Sequence, residues 1–121
     1  MRIFKLKLFN KWAKKESLTE NLLKQAIQEM EQGLIDADLG GQVYKKRVGI
    51  QGRGKRGGVR TIIAFKIEEK AFFMYGFAKN QRDNIETNQL KALKILANKL
   101  LNYNDNDLET ALKTGEIIEV L

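Results

Sequence analysis

The sequence predicts an α+β fold in which a mainly antiparallel sheet packs against N-terminal helices and a C-terminal helix. Two observations predict it: apolar residues recur at helical spacing near both ends of the chain, and three strand-like runs follow one another between those stretches. The 121 residues contain no proline and no internal repeat, so we expect one domain over residues 1–121. Its core would occupy about residues 1–103, and residues 104–121 would form a small extension.

The amino-terminal part is predicted to hold a strand and two helices. Apolar and basic side chains alternate over residues 2–8, as in a half-buried strand, and a short helix follows around Trp12. Residues 17–20 (Ser-Leu-Thr-Glu) match a capping box, in which the serine would cap the next helix. That helix carries apolar residues at helical spacing up to Gly33, and residues 36–42 are expected to form a loop.

The rest of the chain is predicted to hold the main strands. Three runs rich in apolar residues come first, and residues 68–70 are short enough to be a hairpin turn between the last two. A leucine-rich helix, a short helix that ends near Gly115 and a final short strand complete the chain. The predicted strands cover residues 43–50, 59–67 and 71–78, and the elements after them cover residues 90–101, 108–112 and 117–121.

Positive charge is concentrated in the middle of the chain. The net charge is +7, and eight Lys or Arg residues, with no acidic residue among them, lie between Asp38 and Glu68. A solvated face normally mixes both signs, so a run of one sign indicates a polyanionic partner. The alternative is a basic surface that serves only solubility. Outside this run, four lysines are expected to be solvated charges without a binding role: Lys5, Lys7, Lys14 and Lys15.

Strand alternation divides the basic run between two faces. Val48 and Ile50 are expected to face the core, so Lys45 and Arg47 would share the opposite, open face. Arg60 begins the next strand, and if the two strands pair it lies near the same open face. As a surface residue it would contribute little to the core, so Arg60→Ala should leave the fold intact.

The segment between these strands, residues 51–58 (Gln-Gly-Arg-Gly-Lys-Arg-Gly-Gly), is predicted to be a flexible cationic loop. Glycines let the backbone approach a phosphate closely, and successive backbone amides can bind an anion. Arg53, Lys55 and Arg56 would supply the charge. The glycine spacing also matches a dinucleotide-binding fingerprint, but that motif needs a helix directly after it and a strand is predicted here, which excludes it.

The last predicted strand before the long helix is rich in aromatic residues. Phe72, Phe73 and Phe77 are expected in the core, because small domains use aromatic side chains for burial. Tyr75 fits either the core or a platform on which an RNA base stacks. Lys79 emerges at the end of this strand beside the basic face, which makes it a further candidate for the site.

Cysteine and histidine are both absent from the sequence. Their absence excludes disulfides, zinc clusters built on these ligands, Cys–His and Ser–His nucleophilic pairs, and acid–base catalysis by imidazole. We expect no cofactor and no zinc site. No apolar run approaches the roughly 20 residues of a membrane helix, and the basic N-terminus lacks the apolar segment of a signal peptide, so we expect a cytoplasmic protein with no membrane partner.

Three segments together resemble the RelE/HigB family of bacterial toxins from type II toxin–antitoxin systems. They are Lys46-Arg47-Val48, residues 52–60 (GRGKRGGVR) and residues 75–80 (YGFAKN). The order of the predicted elements is similar too, so the resemblance covers nearly the whole chain. It implies a compact RelE-like fold, metal-independent cleavage of mRNA on the ribosome, and a cognate antitoxin, in this branch often a helix-turn-helix protein.

The resemblance also implies an active site on the basic face. Carried onto this sequence, the candidate catalytic residues are Lys45, Arg47, Arg60 and Lys79. The candidate RNA-binding residues are Lys46, Arg53, Lys55, Arg56, Tyr75 and Asn80.

The implied reaction is attack of a ribose 2′-hydroxyl on the adjacent phosphate. Arg47 and Arg60 would stabilise the charge that builds on the phosphate oxygens, each contributing roughly 3 kcal/mol by analogy with oxyanion donors. Lys45 or Lys79 would transfer protons. Some family members place a tyrosine near the chain end in the site, and the identity of the base is left open here. The tyrosines of this chain are Tyr44, Tyr75 and Tyr103.

Two other functions fit the same sequence. A non-catalytic RNA- or DNA-binding module needs the same cations, because phosphate binding and phosphate cleavage use the same residue types. A toxin on the same fold that inhibits DNA gyrase, as ParE toxins do, is the other alternative. The dense cations of residues 45–60 favour a nucleic-acid target over gyrase.

Overall fold

The structure is a computed structural model that describes residues 1–50, 54–78 and 85–121, without the side chains of residues 54–57. The strands are β1 (Arg2–Leu6), β2 (Ala37–Gly40), β3 (Val43–Ile50), β4 (Gly54–Lys66), β5 (Lys70–Ala78) and β6 (Ile117–Val120). The helices are α1 (Lys7–Lys15), α2 (Glu20–Glu31), α3 (Thr87–Leu101) and α4 (Asp105–Thr114).

The strands form one sheet in the order β2-β3-β4-β5-β1-β6. Among the strands that the structure describes, the β1–β5 pair alone is parallel, and every other neighbouring pair is antiparallel. The β1–β5 pair is parallel because of the path of the chain. Helices α1 and α2 connect β1 to β2 at the far edge of the sheet, and β3, β4 and β5 then follow strand by strand until β5 lies beside β1. The α+β prediction with a mainly antiparallel sheet is confirmed.

Each face of the sheet carries its own apolar core. Helices α1 and α2 pack on one face, the α1/α2 face, where Ile63 and Phe73 are fully buried. Helices α3 and α4 cover the other face, the α3 face, with Ile62 and Phe72 fully buried beneath them. Because successive side chains point to opposite faces, apolar runs such as residues 62–65 and 71–74 fill both cores. The expected burial of Phe72, Phe73 and Phe77 is confirmed.

At the amino terminus the structure corrects three expectations. Strand β1 ends at Leu6, and α1 begins directly after it, so Leu8 is 79% exposed instead of facing the core. Lys5 is buried, and its ammonium lies 2.8 Å from the carboxylate of Glu20, so it is not a solvated charge. The cap of α2 is Thr19, whose hydroxyl accepts from a backbone N–H of the first turn, so the predicted serine cap lies two residues too early.

In the middle of the chain two boundaries differ from the prediction. The predicted loop over residues 36–42 contains β2, which extends the sheet beside β3. Strand β4 starts at Gly54, so most of the predicted cationic loop belongs to a strand.

Gly58 has a local reason to be glycine. A Cβ there would lie 2.5 Å from the carbonyl oxygen of Val48, beside a register shift in the β3–β4 ladder. Close approach of two strands, and not of a phosphate, explains this glycine.

The carboxyl-terminal elements follow the prediction. Helix α4 begins with a capping box between Asn104 and Asp107 and ends at Gly115, which has a left-handed φ of 80°. Strand β6 then pairs with β1, and Arg2 binds the carboxylate of Glu119 through two hydrogen bonds of 2.9 Å. Residues 104–121 therefore complete the same sheet. Within the described ranges, no helix is both long enough and apolar enough to cross a membrane.

Candidate functional site

Strand register brings the predicted catalytic residues of β3 and β4 together. Arg47 on β3 lies directly opposite Arg60 on β4, which in turn lies opposite Phe77 on β5. The next row along the strands joins Lys45, Ile62 and Tyr75 in the same way. Residues in such rows share a face and stand about 5 Å apart from strand to strand. Lys45, Arg47 and Arg60 therefore form one cluster on the α3 face, named here the cationic face.

The three cations of the cationic face differ in exposure. Arg47 is exposed, Lys45 is half-buried, and Arg60 is only 6% exposed. Arg60 thus forms the floor of the face, and the expectation that it is a surface residue is wrong. Its burial follows from its central strand, which has β3 on one side and β5 on the other. Removing its side chain would disturb packing as well as charge.

Lys46 points to the opposite face. Its ammonium lies 2.8 Å from the carboxylate of Glu29 in α2 and donates a 2.9 Å hydrogen bond to the carbonyl of Leu34. The residue is 6% exposed. Lys46 therefore lies on the face opposite to Lys45 and Arg47. Its contact with Glu29 links β3 to α2.

The backbone of β3 is held in place from two further directions. Asp36 donates its N–H to the carbonyl of Lys45, with a nitrogen–oxygen distance of 3.1 Å, and its carboxylate accepts from the backbone N–H of Arg47. Fully buried Thr61 donates its hydroxyl to the carbonyl of Lys46 at 2.8 Å. Sequence reasoning missed Asp36 and Thr61, since neither stands out by charge pattern and only the register reveals their partners.

One of the three tyrosines lies on the cationic face. Tyr75 is half-buried in the row that contains Lys45, and its ring centroid lies 6.1 Å from that of Phe77. Tyr44 packs edge-on against Phe65 in the α1/α2 core. Tyr103 donates its hydroxyl to Glu116 at 2.8 Å, and burial together with this bond raises its pKa from 10.0 to about 12. Tyr75 is therefore the tyrosine positioned to meet a ligand bound on this face.

The remaining candidates fall outside the described part of the chain. Arg53, Lys79 and Asn80 belong to undescribed segments, and Lys55 and Arg56 lie in β4 with side chains that are not described. Val59 pairs with Ala78, so the β5 end that leads to Lys79 lies beside β4 at one end of the cationic face.

A family model for the RelE toxin of the RelE/RelB toxin–antitoxin system matches residues 1–120. The chain belongs to the RelE toxin family. The match spans every element of the sheet, from β1 to β6, and confirms the resemblance drawn from the sequence. This RelE toxin is accordingly the toxin of a toxin–antitoxin system and pairs with an antitoxin. No curated protein matches this chain.

Proposed function

We propose that this RelE toxin inhibits translation as a metal-independent endonuclease that cleaves mRNA on the ribosome. The observation that carries the proposal is the direct pairing of Arg47 with Arg60 on one face, with Lys45 in the adjacent row. Three cations on neighbouring strands of one sheet are close enough to contact a single phosphate group and the atoms next to it. Membership of the RelE family supports RNA cleavage over simple binding.

In the proposed reaction a ribose 2′-hydroxyl attacks the adjacent phosphorus. The bond from phosphorus to the 5′ oxygen of the next nucleotide breaks, which leaves a 2′,3′-cyclic phosphate and a free 5′-hydroxyl. Negative charge grows on the non-bridging oxygens, and Arg47 and Arg60 stabilise it because the sheet already holds them in position. A proton leaves the 2′-hydroxyl and another reaches the 5′ oxygen, and we assign one of these transfers to Lys45. Lys79 stays a candidate for the other.

Tyr75 adds a reason for a single-stranded substrate. A half-buried aromatic ring beside a phosphate-binding face offers a surface on which an unpaired base stacks, worth about 1–3 kcal/mol per base. An A-form duplex would keep its bases inside the helix and away from this ring. The ribosome presents mRNA as a single strand, which fits this requirement.

The proposal is tested by inducing the toxin in a bacterium and mapping new mRNA 5′ ends within translated regions. Arg47→Ala is the informative variant, because Arg47 is exposed and its loss should not unfold the protein. We expect new 5′ ends with the wild type and few with Arg47→Ala. Lys113→Ala, an exposed lysine on α4, is the matched control and should cleave like the wild type.

The other outcomes separate the alternatives. Growth arrest with intact mRNA and a DNA-damage response would favour a gyrase inhibitor and overturn RNA cleavage. Salt-dependent binding of RNA without any cleavage, even with ribosomes present, would favour a non-catalytic binding module.

The side chain of Arg60 is buried, so Arg60→Lys tests its role in cleavage better than Arg60→Ala does. The lysine keeps the positive charge but lacks the planar two-donor geometry of arginine.

A further inference from the structure

Helix α3 runs back across the sheet, antiparallel to β5. Lys70, the first residue of β5, donates a 2.5 Å hydrogen bond to the carbonyl of Tyr103, just beyond the end of α3. The chain enters the helix from the other end of β5, so the first turns of α3 lie towards the row that joins Arg60 and Phe77. Lys94 is the middle residue of this helix.

The side chain of Lys94 packs across the hairpin between β2 and β3. Gly40 ends β2 and Gly41 follows it, with positive φ values of 86° and 62°. A Cβ at Gly41 would lie 3.6 Å from Cγ of Lys94, and a Cβ at Gly40 would lie 3.2 Å from its ammonium nitrogen Nζ. The two glycines permit both this backbone and this close approach. The aliphatic stem of Lys94 therefore lies over Gly41, and its ammonium lies over Gly40.

This position continues the cationic face. Gly40 pairs with Val43 of β3, whose side chain is buried on the α3 face. Lys45 is the next residue of β3 on that face, roughly 7 Å along the strand, and Arg47 follows after the same interval. The ammonium of Lys94, Lys45 and Arg47 therefore form a line of positive charge along β3.

The half-buried side chain of Lys94 has no hydrogen bond or ion pair to any of the described residues. Asp38, the acid nearest in the hairpin, accepts the backbone N–H of Gly40 at 2.9 Å instead. Helix α3 itself contains three lysines and no acidic residue. Holding an ammonium partly out of water without a partner costs free energy. An anion bound along β3 would supply the missing partner.

Lys91 extends the same flank of α3 towards solvent. It is exposed and precedes Lys94 by three residues, so the two lysines are neighbours on the helix surface. Lys99, also exposed, comes five residues after Lys94 and points about 140° away around the helix. The basic flank of α3 is therefore the one that faces β3, and Lys99 provides a control on the same helix.

We propose that the RNA backbone follows this line, from the Arg47–Arg60 pair along β3 to the β2–β3 hairpin. Lys94 binds a phosphate one or two nucleotides from the bond that is cleaved, and Lys91 contacts the same stretch from the solvent side. The inference rests on the proposed function for the choice of RNA as the ligand. It assigns Lys94 to holding the substrate and not to proton transfer.

A binding experiment with uncleavable RNA tests this path. The ligand is ribosome-bound mRNA whose ribosome-bound codons carry hydrogen in place of the 2′-hydroxyl, with single phosphates replaced in turn by uncharged methylphosphonates. Lys94→Met keeps the stem that packs on Gly41 and removes the charge. We expect it to weaken binding about tenfold, the scale of one charge-assisted hydrogen bond. One methylphosphonate should cause the same loss with the wild type and no further loss with Lys94→Met, as in a double-mutant cycle.

The other results of this experiment have defined meanings. Lys99→Met should bind like the wild type and keep its sensitivity to that methylphosphonate. Additive losses with Lys94→Met at every linkage would overturn the inference. Weaker binding of the antitoxin by Lys94→Met, with RNA binding unchanged, would assign this flank to a protein partner and also overturn it. A linkage-specific effect of Lys94 with no cleavage of ordinary mRNA by the wild type would support the path and refute the proposed cleavage.

Cleavage kinetics separate substrate binding by Lys94 from catalysis. A phosphate contact away from the reacting bond is made equally in the ground state and the transition state, so Lys94→Met should raise KM about tenfold and change kcat less than about twofold. Lys91→Met should raise KM less, about threefold, because water and salt screen an exposed charge. A fall in kcat with unchanged KM for Lys94→Met would contradict the assignment.

Discussion

Two adjacent lysines, Lys45 and Lys46, should give opposite results when each is replaced by alanine. Lys46 is buried between α2 and β3, with Glu29 at 2.8 Å and the carbonyl of Leu34 at 2.9 Å. Lys45 points to the other side of the strand, into the cationic face. The pair therefore separates the contribution of a lysine to stability from its contribution to the site, at neighbouring positions of one strand.

The expected cost of Lys46→Ala follows from these contacts. Removing one partner of a fully buried ion pair costs about 3–5 kcal/mol. The side chain of Glu29 keeps 36% of its surface exposed, so water can solvate the carboxylate once Lys46 is gone, and we expect about 2 kcal/mol. For a domain of this size that lowers the melting temperature by about 8 °C.

Lys45→Ala should change stability by less than about 0.5 kcal/mol, because its side chain is only half-buried. Its effect on cleavage should be a loss of about 100-fold or more, the usual scale for removing an acid–base group. Thermal unfolding by circular dichroism gives the first quantity, and cleavage of ribosome-bound mRNA gives the second. Normal stability of Lys46→Ala combined with lost cleavage, or unfolding of Lys45→Ala, would refute this assignment of faces.

Three further predictions concern packing and ionisation. Gly58→Ala should lower the free energy of unfolding by about 1–3 kcal/mol in chemical denaturation, because its Cβ would meet the carbonyl of Val48; an unchanged midpoint would contradict the close approach. Gly76→Ala should shift the fluorescence of Trp12, the single tryptophan, since the new methyl group displaces its ring; an unaltered spectrum would argue against this packing. Tyr103→Phe should remove the tyrosine absorbance change near pH 12, because the raised pKa of Tyr103 favours its neutral form in the fold. Stability from this group is complete below about pH 10 and decreases as pH rises towards 12, so the variant should lose less stability over that interval.

Sequence patterns predicted the elements whose signals are local. The helical spacing before Leu101, the glycine that ends α4 and the turn between β4 and β5 each depend on a few neighbouring residues, and each was confirmed. The start of α1 was predicted too late because the alternation of residues 2–8 continues past Leu6. Strand β2 was missed because its four residues, Ala37–Gly40, include an aspartate and a glycine, and pairing with β3 outweighs their low strand propensity.

The candidate site was predictable only where it depends on a local sequence pattern. Alternation placed Lys45 and Arg47 on one face, and that placement is confirmed by the register. The burial of Arg60 was not predictable, since it depends on which strands flank β4 and on what covers them. The ion pair of Lys46 was not predictable either, because its partner Glu29 is distant in sequence and belongs to a helix.

The most direct test of RNA cleavage by this toxin uses purified ribosomes loaded with a defined mRNA. Wild-type toxin and Arg47→Ala are compared at equal concentration, and the ends of the products are analysed. We predict cleavage within the ribosome-bound region, with 5′-hydroxyl and cyclic phosphate ends, and a rate about 100-fold or more lower for a folded Arg47→Ala. Intact mRNA with the folded wild-type toxin, or equal cleavage by both proteins, would contradict the proposed function.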